Sequence, residues 1–468
     1  MTPHDAIVVG SGPNGLAAAI ALAERGRKVL VVEGHETVGG GVRSAPLTLP
    51  GFTHDVCSSV YPMVLATPFF KRLPLDVEWV QPPNLAAHPF DDGTAVALKR
   101  SVEETAEGLG VDAEAYRKRF APLVAKADAL MADLIGPLRI PKHPLLAMKF
   151  GLPALRSGRG FARAYFRGER ARALWAGLAA HAVIPLDARP GAAIAMMLAI
   201  AGHACGWPVV KGGAQNLSEA LAAHFRSLGG EIETGVRVSS VDELPPAKAI
   251  LLDVAPRNAV KLAGHRWPKR YVNAMMRFRH GPGVFKVDWA LAGPIPWAAA
   301  ECRTAGTVHL GGTLDEVAAT EQTAFESRHA ERPFVLLVQP SLFDPSRAPA
   351  GQHTAWGYCH VPNGSTEDMT ARIENQVERF APGFRGLILA RHVTSPAAIE
   401  RYNPNCIGGD ISGGIADLRQ LFTRPVARLN PYTTPDPRIF LCSSSTPPGG
   451  GVHGMCGWFA AQAAMRSM

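Results

Sequence analysis

The spacing in this chain most able to do chemistry is Gly10-Ser11-Gly12-Pro13-Asn14-Gly15, with Glu33 standing 18 residues after Gly15. Gly10 permits a tight turn, Gly12 lets the backbone approach a pyrophosphate, and Gly15 lets a helix pack closely on a strand. Glu33 falls where an acid accepts hydrogen bonds from both hydroxyls of an adenosine ribose. The chemistry implied is that of a bound dinucleotide, whose ring carries the reaction while the protein positions it. No Ser/His/Asp arrangement and no metal-ligand cluster stands out beside this signal.

The elements needed to position these residues are legible around them. Ala6 to Val9 reads as a buried strand, Leu16 to Arg25 as an Ala/Leu-rich helix, and Val29 to Val32 as a second buried strand. A pyrophosphate placed at the start of that helix meets free N–H groups and the positive end of the helix dipole. Further on, Lys211-Gly212-Gly213-Ala214-Gln215-Asn216-Leu217 leads into a helix through Leu221 and Phe225 that ends at Gly229-Gly230. Glu231 to Val241 then alternates as a strand pair, and Ala249 to Asp253 is another buried strand, broken at Ala255-Pro256. Near the far end, Ile439 to Cys442 is a strand, Ser443 to Val452 a Ser/Pro/Gly loop and Gly454 to Met468 an Ala-rich helix. That strand, loop and helix start form a second anion cradle. Both ends of the chain therefore build one dinucleotide-binding domain, and the parts between are inserted. There is no second glycine fingerprint with its acid and no CxxxxC pair, which disfavours a disulfide-reductase arrangement.

At 468 residues the chain exceeds one hydrophobic core, so two or three substructures are expected. Apolar residues at 47% against 19% charged exclude a disordered chain. The net charge of +8 comes without a nucleic-acid module or aromatic platforms clustered with the basic residues, so nucleic acid is discounted as a partner. The cysteines at 57, 205, 302, 359, 406, 442 and 456 form no CxxC pair, pointing to reduced thiols and a cytoplasmic setting. The opening Met-Thr-Pro-His-Asp runs straight into a strand and leaves no room for a signal peptide, and the apolar stretch from Ala192 to Ala201 is too short to span a bilayer. From Arg139 to Arg172, nine Lys or Arg residues face one acid, Glu169, and are interleaved with Leu145, Leu146, Met148, Phe150, Leu152, Leu155, Phe161, Tyr165 and Phe166. Such a stretch suits either an anionic membrane surface or a solvated helical face.

Several segments resemble one family. Val38-Gly39-Gly40-Gly41-Val42-Arg43-Ser44 is typical of the amine oxidase and phytoene desaturase superfamily, which binds FAD. Gly51 to Ser59 with Tyr61-Pro62-Met63, Phe285 to Leu291, and Tyr402-Asn403-Pro404-Asn405 with Gly408-Gly409-Asp410 resemble phytoene desaturase-like proteins. The likeness is to the subgroup with the animal pyridine-nucleotide-disulphide-oxidoreductase-domain proteins. Thr446 to Gly451 with Gly454 and Gly457 resembles the family's C-terminal flavin motif.

The resemblance implies one non-covalent FAD. Gly39, Gly40, Gly41 and Arg43 would lie along its phosphates, and the backbone of Val236 and Val238 beside its adenine. Gly450, Gly451, Val452 and His453 would stand before a helix start aimed at the flavin ring. It implies an FAD-dependent oxidoreductase acting on carbon–carbon bonds of a lipophilic, isoprenoid-type substrate by desaturation, saturation or isomerisation. Oxygen or a quinone would be the natural electron acceptor. His54, Asp55 and Lys286 are the catalytic candidates, and Tyr402 and Asn405 candidates for the pocket wall. His181 and His203, on apolar helices, read as satisfied core residues. The architecture expected is α/β: a discontinuous Rossmann-like FAD domain (1–90, 205–265 and 395–468), a helical region (91–204) and a mixed-sheet substrate domain (266–394). Two other readings stay open. A flavin amine oxidase would show an aromatic cage. A non-enzymatic FAD-fold binding or chaperone protein would show eroded flavin contacts.

Overall fold

Short runs of Ala, Ile, Leu and Val without charge make strands that can be covered on both faces, the signature of a buried parallel sheet. The computed structural model describes residues 4–421 and 423–468; residues 1–3, read above as the lead-in to the first strand, lie outside them. The chain begins with β1 (His4–Val9), helix α1 (Pro13–Ala23) and β2 (Val29–Val32). A hairpin of β3 (Asn84–Pro89) and β4 (Ala95–Lys99) follows. Next come α2 (Pro144–Ala154), α3 (Glu169–Ala180), α4 (Ala192–Cys205) and α5 (Ala214–Ser227). Beyond them lie β5 (Glu231–Glu233), β6 (Ala247–Leu252), β7 (Gly283–Leu291), β8 (Ala305–Leu310) and β9 (Val335–Val338). The chain closes with β10 (His353–Val361), β11 (Ile388–Thr394), β12 (Ile439–Leu441) and α6 (Met455–Met465).

The first sheet has the order β12-β6-β1-β2-β5, and its pairs are parallel. Helix α1 starts with Pro at its first position, where the missing N–H costs nothing, and every residue from Asn14 to Ala23 is buried. It is apolar all round because the sheet covers one side and α6 the other. Gly457 fixes that second contact: a Cβ there would lie 1.8 Å from the Asn14 carbonyl oxygen.

The second sheet, β11-β7-β10-β9-β8-β3-β4, is antiparallel except where β8 meets β3. In β7 the strand alternation sends Phe285, Val287, Trp289 and Leu291 into one apolar cluster and puts Lys286 and Asp288 together on the opposite face.

Three expectations about the layout need correction. Residues 84–99 form a hairpin of the second sheet, although 1–90 was assigned to the dinucleotide domain and 91–204 to helices. That domain also runs past 265, because Trp267, Tyr271 and Met275 pack on Leu252 and Ile439. Finally, Glu231 to Val241 is not a strand pair. β2 offers four residues, β5 pairs with three of them, and Gly235 at φ 71° turns the chain out of the sheet. No helix among the described residues is long and apolar enough to cross a membrane.

Candidate functional site

A cavity of about 780 Å³ begins at the carboxyl ends of β1 and β2 and extends to the second sheet. This is the crevice where an open α/β sheet binds its ligand. Gly10, Gly12, Pro13 and Asn14 line its start. Gly10 has φ 102°, and a Cβ on Gly15 would stand 2.1 Å from the Gly10 carbonyl oxygen, so the turn tolerates only glycine at these points. Gly15 itself does not reach the wall; it brings helix and strand together.

Glu33 lines the cavity and accepts hydrogen bonds from the Ser11 amide (2.9 Å), the Ser11 hydroxyl (2.6 Å) and the His35 amide (2.9 Å). Burial alone would raise its pKa, but these bonds and the Arg43 guanidinium 3.4 Å away hold it below the usual carboxylate range. It therefore stays an acceptor. Gly40, Gly41 and Arg43 also line the wall. Arg43 donates to the Thr37, Val38 and Gly40 carbonyls (2.7, 3.2 and 3.2 Å), so its fork shapes the glycine loop. Gly39 sits behind that loop, where a Cβ would meet the Val42 carbonyl oxygen at 2.5 Å.

Val236 and Val238 line the adenine end in irregular backbone, and the Val236 N–H donates to the Glu33 carbonyl at 2.9 Å. At the other end Gly451 and Val452 line the cavity, with Ser443, Ser444 and Ser445. Gly450 is set back, since a Cβ on it would strike the Ser412 carbonyl oxygen at 2.4 Å. His453 is buried and caps α6: its Nδ1 accepts the Met455 N–H at 3.1 Å, and burial lowers its pKa to about 4. Asn405 lines the cavity, and Tyr402 lines a side pocket.

The three catalytic candidates come together beneath the cavity rather than in its wall. Asp55 is fully buried and accepts from Arg347 (3.0 and 3.3 Å), Ser44 (2.8 Å), the Ala214 amide (2.8 Å) and Ser59. Burial would raise its pKa, but Arg347 outweighs it and holds the carboxylate low. With its lone pairs engaged, Asp55 ties together Ser44, Ser59, Ala214 and Arg347 and is not a proton acceptor. His54 is driven down to about 3 by burial and by Lys286; its Nε2 bonds the Thr48 hydroxyl at 2.7 Å, and its Nδ1 lies 3.6 Å from Asp288. Lys286 holds both Asp288 oxygens at 2.5 and 2.6 Å, donates to the Asp55 carbonyl at 3.0 Å, and lies 5.2 Å from the Trp356 ring centre. Of the three, Lys286 alone reaches open space. It lines a side pocket of about 40 Å³ that shares Cys57, Tyr358, Asn403 and Cys406 with the main cavity.

Sequence reasoning missed other wall residues. Asp253, read only as a strand end, lines the cavity with its carboxylate 2.9 Å from the Gly15 N–H. Trp356 and Tyr358 stack at 5.9 Å and 9° on β10 and line the sheet end; their i, i+2 spacing within a strand was the available signal. His203 behaves as a satisfied core residue, bonded to the Tyr116 hydroxyl and the Arg100 carbonyl. His181 does not: it lines the cavity. Among the described residues no group of three His, Cys, Asp or Glu side chains is placed to hold a metal ion.

Comparison with known proteins agrees with this geometry. Residues 8–73 match the model of the NAD(P)-binding Rossmann-like domain. The chain is 24% identical to pyridine nucleotide-disulfide oxidoreductase domain-containing protein 2 of Mus musculus, over 99% of this chain and 94% of that protein. It is also 24% identical to the all-trans-zeta-carotene desaturase of Myxococcus xanthus, over 85% of this chain and 79% of that one. The chain is therefore similar, over most of its length, to these two proteins. Its fold is also that of an engineered double variant of putrescine oxidase, at TM-score 0.61 and 17% identity over 99% of both chains. In this chain the dinucleotide fingerprint and the C-terminal glycine loop border one continuous space.

Proposed function

We propose that the protein binds one non-covalent FAD and acts as an oxidoreductase on a carbon–carbon bond of a lipophilic, isoprenoid-type substrate. The observation that carries this reading is the single cavity with two unlike halves. One half combines glycine backbone with Glu33, Arg43 and Asp253; the other is apolar, formed by Leu198, Trp207, Leu336, Val338 and Trp356.

The residues present suit the group. A Cβ on Gly12 would stand 2.7 Å from an Asp253 oxygen, so only a bare backbone leaves room there, and Asn14 Oδ1 is buried in this wall without a partner. Gly10, Gly12, Gly40 and Gly41 would hold the pyrophosphate, Glu33 the ribose, and the backbone around Val236 and Val238 the adenine. Gly451 and Val452 would border the ring. When bound, FAD supplies hydride acceptance and donation. The chain's own part is to order the substrate and exclude water, which the buried apolar wall achieves. Lys286 Nζ holds its protons against Asp288 at the edge of the side pocket, and that pocket has room for water, which needs roughly 10–15 Å³. Oxygen or a quinone is the proposed electron acceptor.

A second use of the surface belongs to this reading. Leu145, Met148 and Leu152 form an exposed apolar stripe on α2, flanked by exposed Leu138, Ile140 and Leu155. Lys142, Lys149 and Arg156 stand among them, and the sequence from Leu134 to Gly168 contains no acid. Arg159 and Arg163 are engaged by Asp315, and Arg172 by the Phe166 carbonyl, which narrows the basic stretch to 138–156. Apolar side chains ringed by cations suit an anionic lipid surface, from which a lipophilic substrate would be drawn.

The stacked Trp356–Tyr358 pair favours the amine oxidase alternative. The test is an absorption spectrum of the purified protein before and after heat denaturation, then anaerobic bleaching with lipids and amines. Twin flavin bands released on denaturation and bleaching by an unsaturated or saturated lipid are expected. Bleaching by amines alone moves the assignment to the amine oxidase. A protein that stays colourless after incubation with FAD removes both enzyme readings.

A further inference from the structure

The sheet half of the cavity ends on two imidazoles. His181, one residue past α3, lines the cavity, and its Nε2 lies 2.9 Å from Nε2 of His309 on β8. Gly177 allows the pair: a Cβ there would come within 2.4 Å of His309 Nδ1, so α3 lays bare backbone against the ring. His309 is fully buried, and its Nδ1 has no hydrogen-bond partner. One ring must donate to the other. An orphaned buried N–H is rarer than an orphaned lone pair, so His309 carries its proton on Nε2 and donates it to His181. His181 is then protonated on Nδ1, the nitrogen left for a ligand. Burial keeps both rings neutral, pushing His181 down to about 4, with His360 adding, and His309 well below the ordinary imidazole value.

The surroundings narrow what that N–H can meet. Leu198, Trp207, Leu336 and Val338 are apolar, and the Thr307 hydroxyl oxygen already accepts the Trp207 indole N–H at 3.0 Å. The acids lining the cavity, Glu33, Asp253 and Asp410, come from neither the second sheet nor α3 and α4. A hydrocarbon would bury the His181 donor without a partner. An ammonium would set donor against donor with no counter-charge.

We propose that the substrate carries an uncharged oxygen function, a hydroxyl or carbonyl, that accepts a hydrogen bond from His181 at this end of the cavity. The inference rests on the reading of this half as the substrate site and narrows the substrate class to oxygenated lipids. His309 is a positioning residue that fixes the His181 tautomer.

The experiment is calorimetric titration of the purified protein, its flavin content measured beforehand, with three isosteric probes: ethylbenzene, benzyl alcohol and benzylamine. The alcohol-to-hydrocarbon affinity ratio is expected to fall about five- to tenfold in His181→Phe, the worth of one hydrogen bond. The amine-to-hydrocarbon ratio should stay where it is. His181→Asn, which keeps a donor, should retain the alcohol preference, and His309→Phe should weaken it; these two also serve if His181→Phe does not fold. An unchanged alcohol ratio, an equal fall for the amine, or no binding of any probe overturns the proposal. A flavin-free protein that prefers the alcohol through His181 sinks the cofactor reading and leaves this one. A flavin-loaded protein without the preference does the reverse.

Discussion

The Asp253 carboxylate stands 2.9 Å from the backbone N–H of Gly15, inside the first turn of α1, where an incoming pyrophosphate would meet it. Burial, with Glu33 adding, pushes its pKa up to about 7. A second anion at that turn raises it further, so cofactor binding above pH 7 must take up a proton. FAD affinity is expected to be level below pH 6 and to weaken as pH rises through about 7. Equilibrium dialysis from acid to mildly alkaline pH checks this, and Asp253→Asn should flatten the curve. The sign for folding agrees. The folded pKa lies above the ordinary aspartate value of 3.8, so the contribution is whole below about 4 and lost as pH climbs to about 7. A wild-type affinity that is flat across pH 7 would exclude the linkage.

Lys286 and Asp288 form a buried ion pair, 3% and 0% exposed. Removing one partner strands the other charge. Lys286→Met is expected to cost about 3–5 kcal/mol, and Lys286→Met with Asp288→Leu to recover most of it. Urea unfolding of the single and double variants measures both. Equal loss in the two would mean that Lys286 acts through its bond to the Asp55 carbonyl instead.

Gly457 has no room for a methyl group, given the 1.8 Å to the Asn14 oxygen. Gly457→Ala must push α6 off α1 beside Asn14, which lines the cavity. A loss of about 1–3 kcal/mol or more is expected, together with weaker FAD retention. Thermal unfolding with and without added FAD would show both. Unchanged melting and retention would contradict the tight crossing.

The apolar stripe on α2 points away from the core, with Leu145 71% exposed. Replacing Leu145, Met148 and Leu152 by Ser should therefore leave the melting temperature within about 1 °C, because little buried area changes. The same triple variant should lose co-sedimentation with vesicles containing anionic lipid, and wild-type binding should weaken with salt. Binding that survives the substitutions would place the contact elsewhere.

What could be read from the sequence was mostly what the backbone dictates. Gly10 takes a positive φ, a Cβ on Gly12 would crowd Asp253 and none fits on Gly15, and Glu33 follows at the end of β2, so local sterics write the fingerprint into residue types. Asp253 was not legible, because its place beside Gly15 comes from the parallel pairing of Val9 with Leu252. The His181–His309 pair was hidden for a related reason: two distant segments meet where the end of α3 packs on β8. Asp55 looked reactive in isolation, and only the arrival of Arg347 from 292 residues away shows it saturated. The β3–β4 hairpin lay outside the expected domain because β3 pairs with β8, far ahead in the chain.

The crossing of α6 over α1 also governs when this molecule can first exist. β1 is made long before β12 and α6, which complete its sheet and cover its helix and come from Ile439 onward. At about 5–20 residues per second, the nascent N-terminal unit waits on the order of tens of seconds for its other side. Throughout that interval α1 lacks its cover, and once β6 is made the sheet edge there stays open as well. This chain therefore depends on being shielded while it is being made, and a ribosome that stalls late leaves a sticky fragment rather than a smaller working protein.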